Sequence, residues 1–366
     1  MDIRIPKNEL LKKIGLGVSI AGGKPSTLPI LNNLLLETQK DGMLKIVATD
    51  MEVGVSTLLP VEIGQQGSVT VPARKFHDIV KELPEGEISL SVTKNNTVNI
   101  KSGKSFFKIM GLDKEDFPKL PDPSPEKEVE LEQSILKESL ILTSFAISHD
   151  ETRYVLNGVL VSLQENQIRF IATDGRRLAF YKKDLKEKIG KKIDMIIPSK
   201  TIHELLKLLE WEGKVKISHS QNKVIFKFQD TYLTSSLIEG NFPNYEQVIP
   251  KEEKTTAVVH CEEFLQAVRR VALLTSIESP AVKFDFIKGK VLISAKSPNM
   301  GEAREEVPAE VSGQEVTIGF NPNYFIDLLK NLTDESITFA LTEPDKPGLV
   351  KGRNGYLYVI MPMQLS

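Results

Sequence analysis

The stretch IATDGRRLAFYKK (171–183) decides the fold, because its core has already occurred once. Ala172-Thr173-Asp174 repeats Ala48-Thr49-Asp50 of MLKIVATDMEVGVSTLLP (43–60) at a distance of 124 residues. A weaker echo, Ala295-Lys296-Ser297, follows 123 residues later. Self-similarity at a fixed period marks a chain built from copies of one unit. Working outward, the copies open on IRIPKNELLKKIG, VELEQSILKESLILTSFAIS and AVVHCEEFLQAVRRVALLTS. Each reads as a short alternating strand that passes into an amphipathic helix and returns through three strand-like runs.

A second motif shares the period. VTVPARKFHDIVKEL, MIIPSKTIHELLKLL and VTIGFNPNYFIDLLKNL each set a strand before a helix. Their apolar stripes are Phe76/Ile79/Val80/Leu83, Ile202/Leu205/Leu206/Leu209 and Phe325/Leu328/Leu329/Leu332. All follow i, i+3, i+4, i+7, the spacing of one buried helix face. Two proline-bearing stretches without apolar periodicity, DFPKLPDPSPEK (116–127) and NFPNYEQVIPKEEK (241–254), read as linkers. The expected domains are therefore 1–122, 128–249 and 254–366, each a pseudo-duplicate of half its length. The expected class is α+β, with antiparallel sheets covered by helices on one face.

Composition narrows the function. The chain has 366 residues, 40% of them apolar and 26% charged, which is ordinary for a globular protein. No apolar run reaches the ~20 residues that a membrane-spanning helix needs. Met1-Asp2-Ile3-Arg4-Ile5 alternates instead of forming the apolar stretch of a secretory leader. A single cysteine, Cys261, excludes an internal disulfide and suits a reducing cytoplasm. The 47 basic and 49 acidic residues, net −2, argue at first sight against a nucleic-acid binder.

Catalytic signatures break wherever they begin. Gly103-Lys104-Ser105 ends like a phosphate loop, but Val98 stands at the first glycine. Gly22-Gly23-Lys24 is followed by Pro25 where Ser or Thr would bind magnesium. His203-Glu204 opens a zincin-like helix without its second histidine. Cys261 beside His260 falls at the start of a helix whose counterparts carry no thiol. A repeated unit without a shared polar constellation is a scaffold, so no catalytic residue, metal site or cofactor is expected. The alternatives are a metal-dependent DNA-processing enzyme with a site between domains and a monomeric interaction scaffold.

Six motifs carry a resemblance over essentially the whole chain: LPILNNLLLE (28–37), VPARKF (71–76), RYVLNGVLV (153–161), ATDGRRLA (172–179), FPNYEQVIP (242–250) and YVIMPMQL (358–365). By these the chain resembles the bacterial DNA polymerase III beta subunits, the sliding-clamp family. The resemblance implies a head-to-tail homodimeric ring of six domains around double-stranded DNA. It implies a cytoplasmic, non-catalytic processivity factor that meets a clamp loader, polymerase subunits and repair proteins through short peptides, with no membrane role. Phe107 and Ile109 would meet Leu273 and Leu274 across the subunit contact. DNA would be touched by Lys24, in the loop before LPIL, and by Arg74, Lys75, Lys137, Lys200, Arg269 and Arg270, from helices that also carry Lys12, Lys13, Lys207 and Lys330. The partner cleft would comprise Leu156, Thr173, Gly175, Arg176, Arg177, Leu178, Pro243, Val248, Asn321, Tyr324, Val359, Ile360, Met361, Pro362, Met363 and Gln364. Asp150, Arg176, Gln247, Ser279 and Gln364 depart from residues the family can carry there. A ring that must slide can be basic inside and acidic outside, which cancels in the net charge.

Overall fold

The computed structural model describes residues 1–21, 28–121, 128–220, 222–275, 280–297 and 301–365, with the backbone alone for 186–191. The first copy opens with β1 (Asp2–Pro6), α1 (Lys7–Ala21), β2 (Asn33–Thr38), β3 (Met43–Thr49) and β4 (Val53–Pro60). It continues through β5 (Glu62–Gln65), β6 (Ser68–Pro72), α2 (Ala73–Glu82), β7 (Glu87–Val92), β8 (Thr97–Ser102) and β9 (Ser105–Met110). The second copy opens with β10 (Glu128–Glu132), α3 (Gln133–Ser144), β11 (Gly158–Thr173) and β12 (Arg177–Pro198). It closes with α4 (Ser199–Leu208), β13 (Lys214–His219), β14 (Lys223–Lys227) and β15 (Thr231–Ser236). The third holds β16 (Thr255–His260), α5 (Cys261–Ala272), β17 (Val282–Ile287), β18 (Lys290–Ser297) and β19 (Gly301–Gly313). It ends with β20 (Val316–Phe320), α6 (Pro322–Asn331), β21 (Ser336–Leu341), β22 (Gly348–Lys351) and β23 (Leu357–Ile360).

The copies agree in strand order as well as in sequence. Each opening strand pairs with the first strand after the second helix, giving β1-β7-β8-β9, β10-β13-β14-β15 and β16-β21-β22-β23. All the pairings are antiparallel. The front half differs, with five strands between the helices of the first copy, two in the second and four in the third among the described residues. The second copy replaces separate short runs by two long strands, β11 lying along β12 from Gly158↔Pro198 to Thr173↔Leu178. The ladder shifts register on either side of Glu165, which holds φ +52°.

Contacts divide the chain into two compact units, Met1–Ser134 with His203–Leu237 and Ile135–Ile202 with Ile238–Ser366. The division runs through the second copy because ladders join neighbouring copies. In the first unit β4 of copy one pairs with β15 of copy two, Val53↔Ser235 to Thr57↔Thr231. In the second unit β12 of copy two pairs with β23 of copy three, Arg177↔Ile360 to Phe180↔Leu357. A ladder formed on folding is a stronger tie than proximity along the chain, so the structural units cut across the sequence repeats.

The expected helix stripes form the cores. Phe76 and Val80, Leu205, and Phe325 and Leu328 are fully shielded from water. Leu83, Leu209 and Leu332, the last members of the stripes, fall just past the helix ends. In the third copy the ring of Phe325 lies 5.2–5.6 Å from those of Phe264, Phe284, Phe320 and Phe339, mostly edge to face.

Among the strand edges that stay open in the described residues are those of β9 and β19. β9 is the last strand of its sheet and pairs only with β8. Residues Gly301–Pro308 of β19 pair with β18 on one side and with no strand on the other, since β16 takes only Ala309–Gly313.

Candidate functional site

The repeated Thr-Asp pair builds a turn. Thr173 Oγ1 donates to the carbonyl of Arg177 at 2.6 Å and accepts from the amide of Gly175 at 3.0 Å. Asp174 Oδ1 accepts from the amides of Arg176 and Arg177 at 2.8 and 3.0 Å. The first copy repeats each bond: Thr49 Oγ1 with Val53 O and Met51 N, and Asp50 Oδ1 with the amides of Glu52 and Val53. Short polar side chains that bind their own backbone two residues on make such turns locally encoded. The third turn position is left-handed in both, φ +86° at Gly175 and φ +78° at Met51, a conformation that glycine adopts without a Cβ penalty.

An apolar hollow of about 150 Å3 adjoins the second turn. Leu156, Leu178 and Val359 are buried in its floor, Pro243 and Val248 form walls, and Met361, 40% exposed, stands at its mouth. Thr173, Gly175, Arg176 and Arg177 complete the expected part of the lining. Phe242, Asn244 and Tyr245 also line it and were missed, although FPNYEQVIP contains them. Proximity to Pro243 was the available signal; the ring of Tyr245 is drawn in by Phe180 at 5.9 Å.

The other six expected cleft residues do not line the hollow. Ile360 is buried in the sheet. Asn321 caps α6, its Oδ1 accepting from Asn323 N at 3.0 Å. Tyr324 stacks under the guanidinium of Arg177 at 4.6 Å. Pro362 is half-buried and Gln364 exposed, and Met363 N donates to Gly319 O at 2.8 Å, which ties the tail to β20.

Arg177 is locked on every side. Its Nε bonds Asp174 at 3.1 Å, Nη1 bonds Asp327 at 2.7 Å and Nη2 donates to Phe145 O at 2.8 Å. Its neighbour Arg176 is exposed, and only its backbone is bonded among the described residues: its carbonyl accepts from Met361 N at 2.8 Å.

Asp150, one of the departures, caps the short helix Glu151–Leu156. Its carboxylate accepts from the Thr152 hydroxyl and amide and from Arg153 Nε, and these bonds lower its pKa. Gln247 closes a 3-10 turn, while Ser279 lies outside the described residues.

The basic candidates differ in environment. Lys24 lies outside the described residues. Arg74 and Lys75 are exposed on α2, and Lys137, Lys200 and Arg269 are half-buried on α3, α4 and α5. Arg270 is exposed but forks onto Glu305, with both bonds 2.8 Å long, so much of its charge is already neutralised. Lys13 pairs with Asp230, and Lys207 with Glu204.

The expected contact residues sit beside the open edges. Phe107 is 40% and Leu273 77% exposed, whereas Ile109 and Leu274 are half-buried. Phe106 and Met110, also exposed on β9, were missed.

No group of three or more metal-ligating side chains occurs among the described residues, and no described helix is long and apolar enough to cross a membrane. Burial, reinforced by Asp334, pushes the Cys261 thiol up to about 11. Alkylation by iodoacetamide at pH 8 is expected to run about a hundredfold slower than for free cysteine, because the thiolate is the nucleophile. The rate should climb as pH rises towards 11; a fast reaction at pH 8 would show the thiol to be activated.

Three family models cover the chain. Residues 1–121 match the N-terminal domain, 130–244 the central domain and 246–364 the C-terminal domain of the DNA polymerase III beta subunit. The "Beta sliding clamp" of Proteus mirabilis is 35% identical over 373 residues, covering 100% of both chains. That of Chlamydia pneumoniae is 33% identical over 370 residues, covering 100% of this chain and 99% of its own. The crystal structure of the DNA polymerase sliding clamp from Bacillus subtilis superposes with a TM-score of 0.96 at 30% identity, covering 100% of both chains.

Proposed function

The chain belongs to the DNA polymerase III beta-subunit family, and we propose that it works as a ring closed with a second copy of itself around double-stranded DNA. It is a sliding clamp of three antiparallel clamp domains, a non-catalytic accessory subunit that confers processivity on DNA polymerase III. The domains are proposed to run 1–122, 128–249 and 254–366, and the protein to work in the cytoplasm.

The observation that carries the ring is the set of ladders between copies. A front-half strand of one copy takes the last strand of the next, as β4 takes β15 and β12 takes β23. By that pattern β19 should take β9, and both of those edges are open among the described residues. Supplied head to tail by a second chain, the missing ladder forms twice and the ring closes. Lys101, Lys104 and Lys108 flank or lie on β9 and Glu302 lies on β19, whose Glu305 and Glu306 are already paired with Arg270 and Lys290. Phe107, Ile109, Leu273 and Leu274 are proposed to supply the apolar part of the contact.

Lys24, Arg74, Lys75, Lys137, Lys200, Arg269 and Arg270 are proposed to face the DNA. Several of these charges are half-buried or paired, which suits a lining that must not grip phosphates tightly. After loading by the clamp loader, the protein should stay on nicked circular DNA and leave once that DNA is linearised. Equal retention on both would sink the ring.

The apolar hollow is proposed to seat short peptides of polymerase subunits and repair proteins, with the tail from Met361 to Gln364 at its edge. Met361→Glu should weaken such a peptide at least about tenfold while leaving the dimer intact, since a charge replaces about 1.5–3 kcal/mol of apolar contact. An unchanged affinity would place the peptide elsewhere.

A further inference from the structure

We propose that a pocket of the first structural unit, between Lys45 and the first linker, binds a small aromatic carboxylate. It is separate from the apolar hollow of the second unit and does not depend on the docking reading above.

The pocket encloses about 410 Å3, a volume in the range of small-molecule sites. Leu35, Val47, Phe117 and Leu120 supply apolar walls, and Tyr232 adds a ring. Lys45, Lys114 and Lys119 bring positive charge to it, against Glu37 and Glu115. Glu37 stands opposite Lys45 in the ladder between β2 and β3, yet its carboxylate accepts from Lys114 Nζ at 2.9 Å. Glu115 is exposed, on the short turn that Asp113 caps. Lys45 is therefore half-buried with no partner among the described residues. A cation set among apolar walls without a counter-charge gains by meeting an anion.

The second copy shows which anion fits. Arg169 corresponds to Lys45, 124 residues on, and Tyr245 and Glu246 correspond to Leu120 and Pro121, 125 residues on. There the linker closes over the cation. Arg169 Nη1 donates to the Tyr245 hydroxyl at 3.4 Å and to Glu246 Oε1 at 3.2 Å. A phenol ring and a carboxylate of the chain itself thus lie beside the positive charge. The first copy has neither group, since Leu120 packs onto Ile30, Leu31, Val47 and Phe117 and Pro121 carries no acid. Lys119, exposed at the pocket, stands where the second copy has Asn244, so the open site is also the more cationic one. A ligand that bears a ring and a carboxylate restores both contacts that the linker makes in the other unit.

The test titrates the full-length protein with N-acetyltyrosine, which carries both groups, and with N-acetyltyrosinamide, which lacks the charge. Each is followed by saturation-transfer NMR at neutral pH. The parent should bind the acid about three- to tenfold tighter than the amide, with the margin shrinking at high salt, as for a partly exposed charge pair. Lys45→Gln should remove the margin. Pro121→Glu should weaken binding of the acid, because the new carboxylate takes Lys45 from within as Glu246 takes Arg169. Both variants should keep the melting temperature of the parent. No binding of the acid, equal binding of acid and amide, or a preference that survives Lys45→Gln would overturn the inference. Undiminished binding by Pro121→Glu would overturn the parallel with the second copy on which it stands.

Discussion

Phe107→Asp and Leu273→Asp, made separately, are each expected to turn the dimer into a folded monomer. Both side chains are exposed large apolar groups, 40% and 77% accessible, Phe107 on the edge strand β9 and Leu273 just past α5. Burying a large apolar side chain contributes about 1.5–3 kcal/mol, and placing a carboxylate there adds several kcal/mol of desolvation. The head-to-tail ring contains the contact twice, so each substitution is felt at both joints. A combined loss above about 4 kcal/mol weakens association by roughly a thousandfold. Sedimentation at micromolar concentration should then show a monomer where the parent is a dimer, and retention on nicked circles should disappear. The melting temperature of the monomer should hardly change, because neither side chain belongs to a domain core. A dimer that survives both substitutions would mean that β9 and β19 do not meet.

Gly54→Leu should destabilise the first unit by about 3 kcal/mol, and adding Leu120→Ala should recover a large part of that loss. The basis is the second copy of the hollow, which is filled. Gly54 corresponds to Leu178, and each pairs with the equivalent strand residue, Thr234 or Val359. A Cβ on Gly54 would lie 2.5 Å from Leu120 Cδ2 and 2.9 Å from Thr234 Oγ1. Leu120, packed against Ile30, Leu31, Val47 and Phe117, thus occupies the space that Leu178 fills in the other unit. Its counterpart is Tyr245, 125 residues on, which leans on Phe180 and leaves the hollow open. Leu120→Ala alone should cost about 2 kcal/mol through the cavity that it leaves. Denaturant unfolding of the four proteins in the cycle measures the coupling. A fully additive double variant, or a harmless Gly54→Leu, would contradict the packing swap.

The sequence made legible what depends on spacing or on a few adjacent residues. The 124-residue period placed the three copies, because each must bury the same helix stripe under the same strands. The Thr-Asp pair was visible as a repeat, and the turn it makes has a local cause: hydroxyl and carboxylate bind amides two or three residues away. Ten of the expected cleft residues came together around the hollow through motifs that lie on that turn, on the linker and on the last strand. Asn321 and Tyr324 did not, since one caps a helix and the other stacks on Arg177.

What the sequence could not determine are the outcomes set by contacts far apart in the chain. Whether a copy of the hollow is open or filled turns on Gly54 with Leu120 against Leu178 with Tyr245, and each pair meets only when the linker folds back over its sheet. The two adjacent arginines make the same point. Residue type and position in the turn are nearly shared, yet Asp327, 150 residues away, and the carbonyl of Phe145 hold Arg177, while the side chain of Arg176 is exposed and bonds none of the described residues. Local chemistry can be read wherever both partners are neighbours in sequence. Which of two like residues supports the fold and which faces a partner is settled by long-range packing, and that exists only in the tertiary structure.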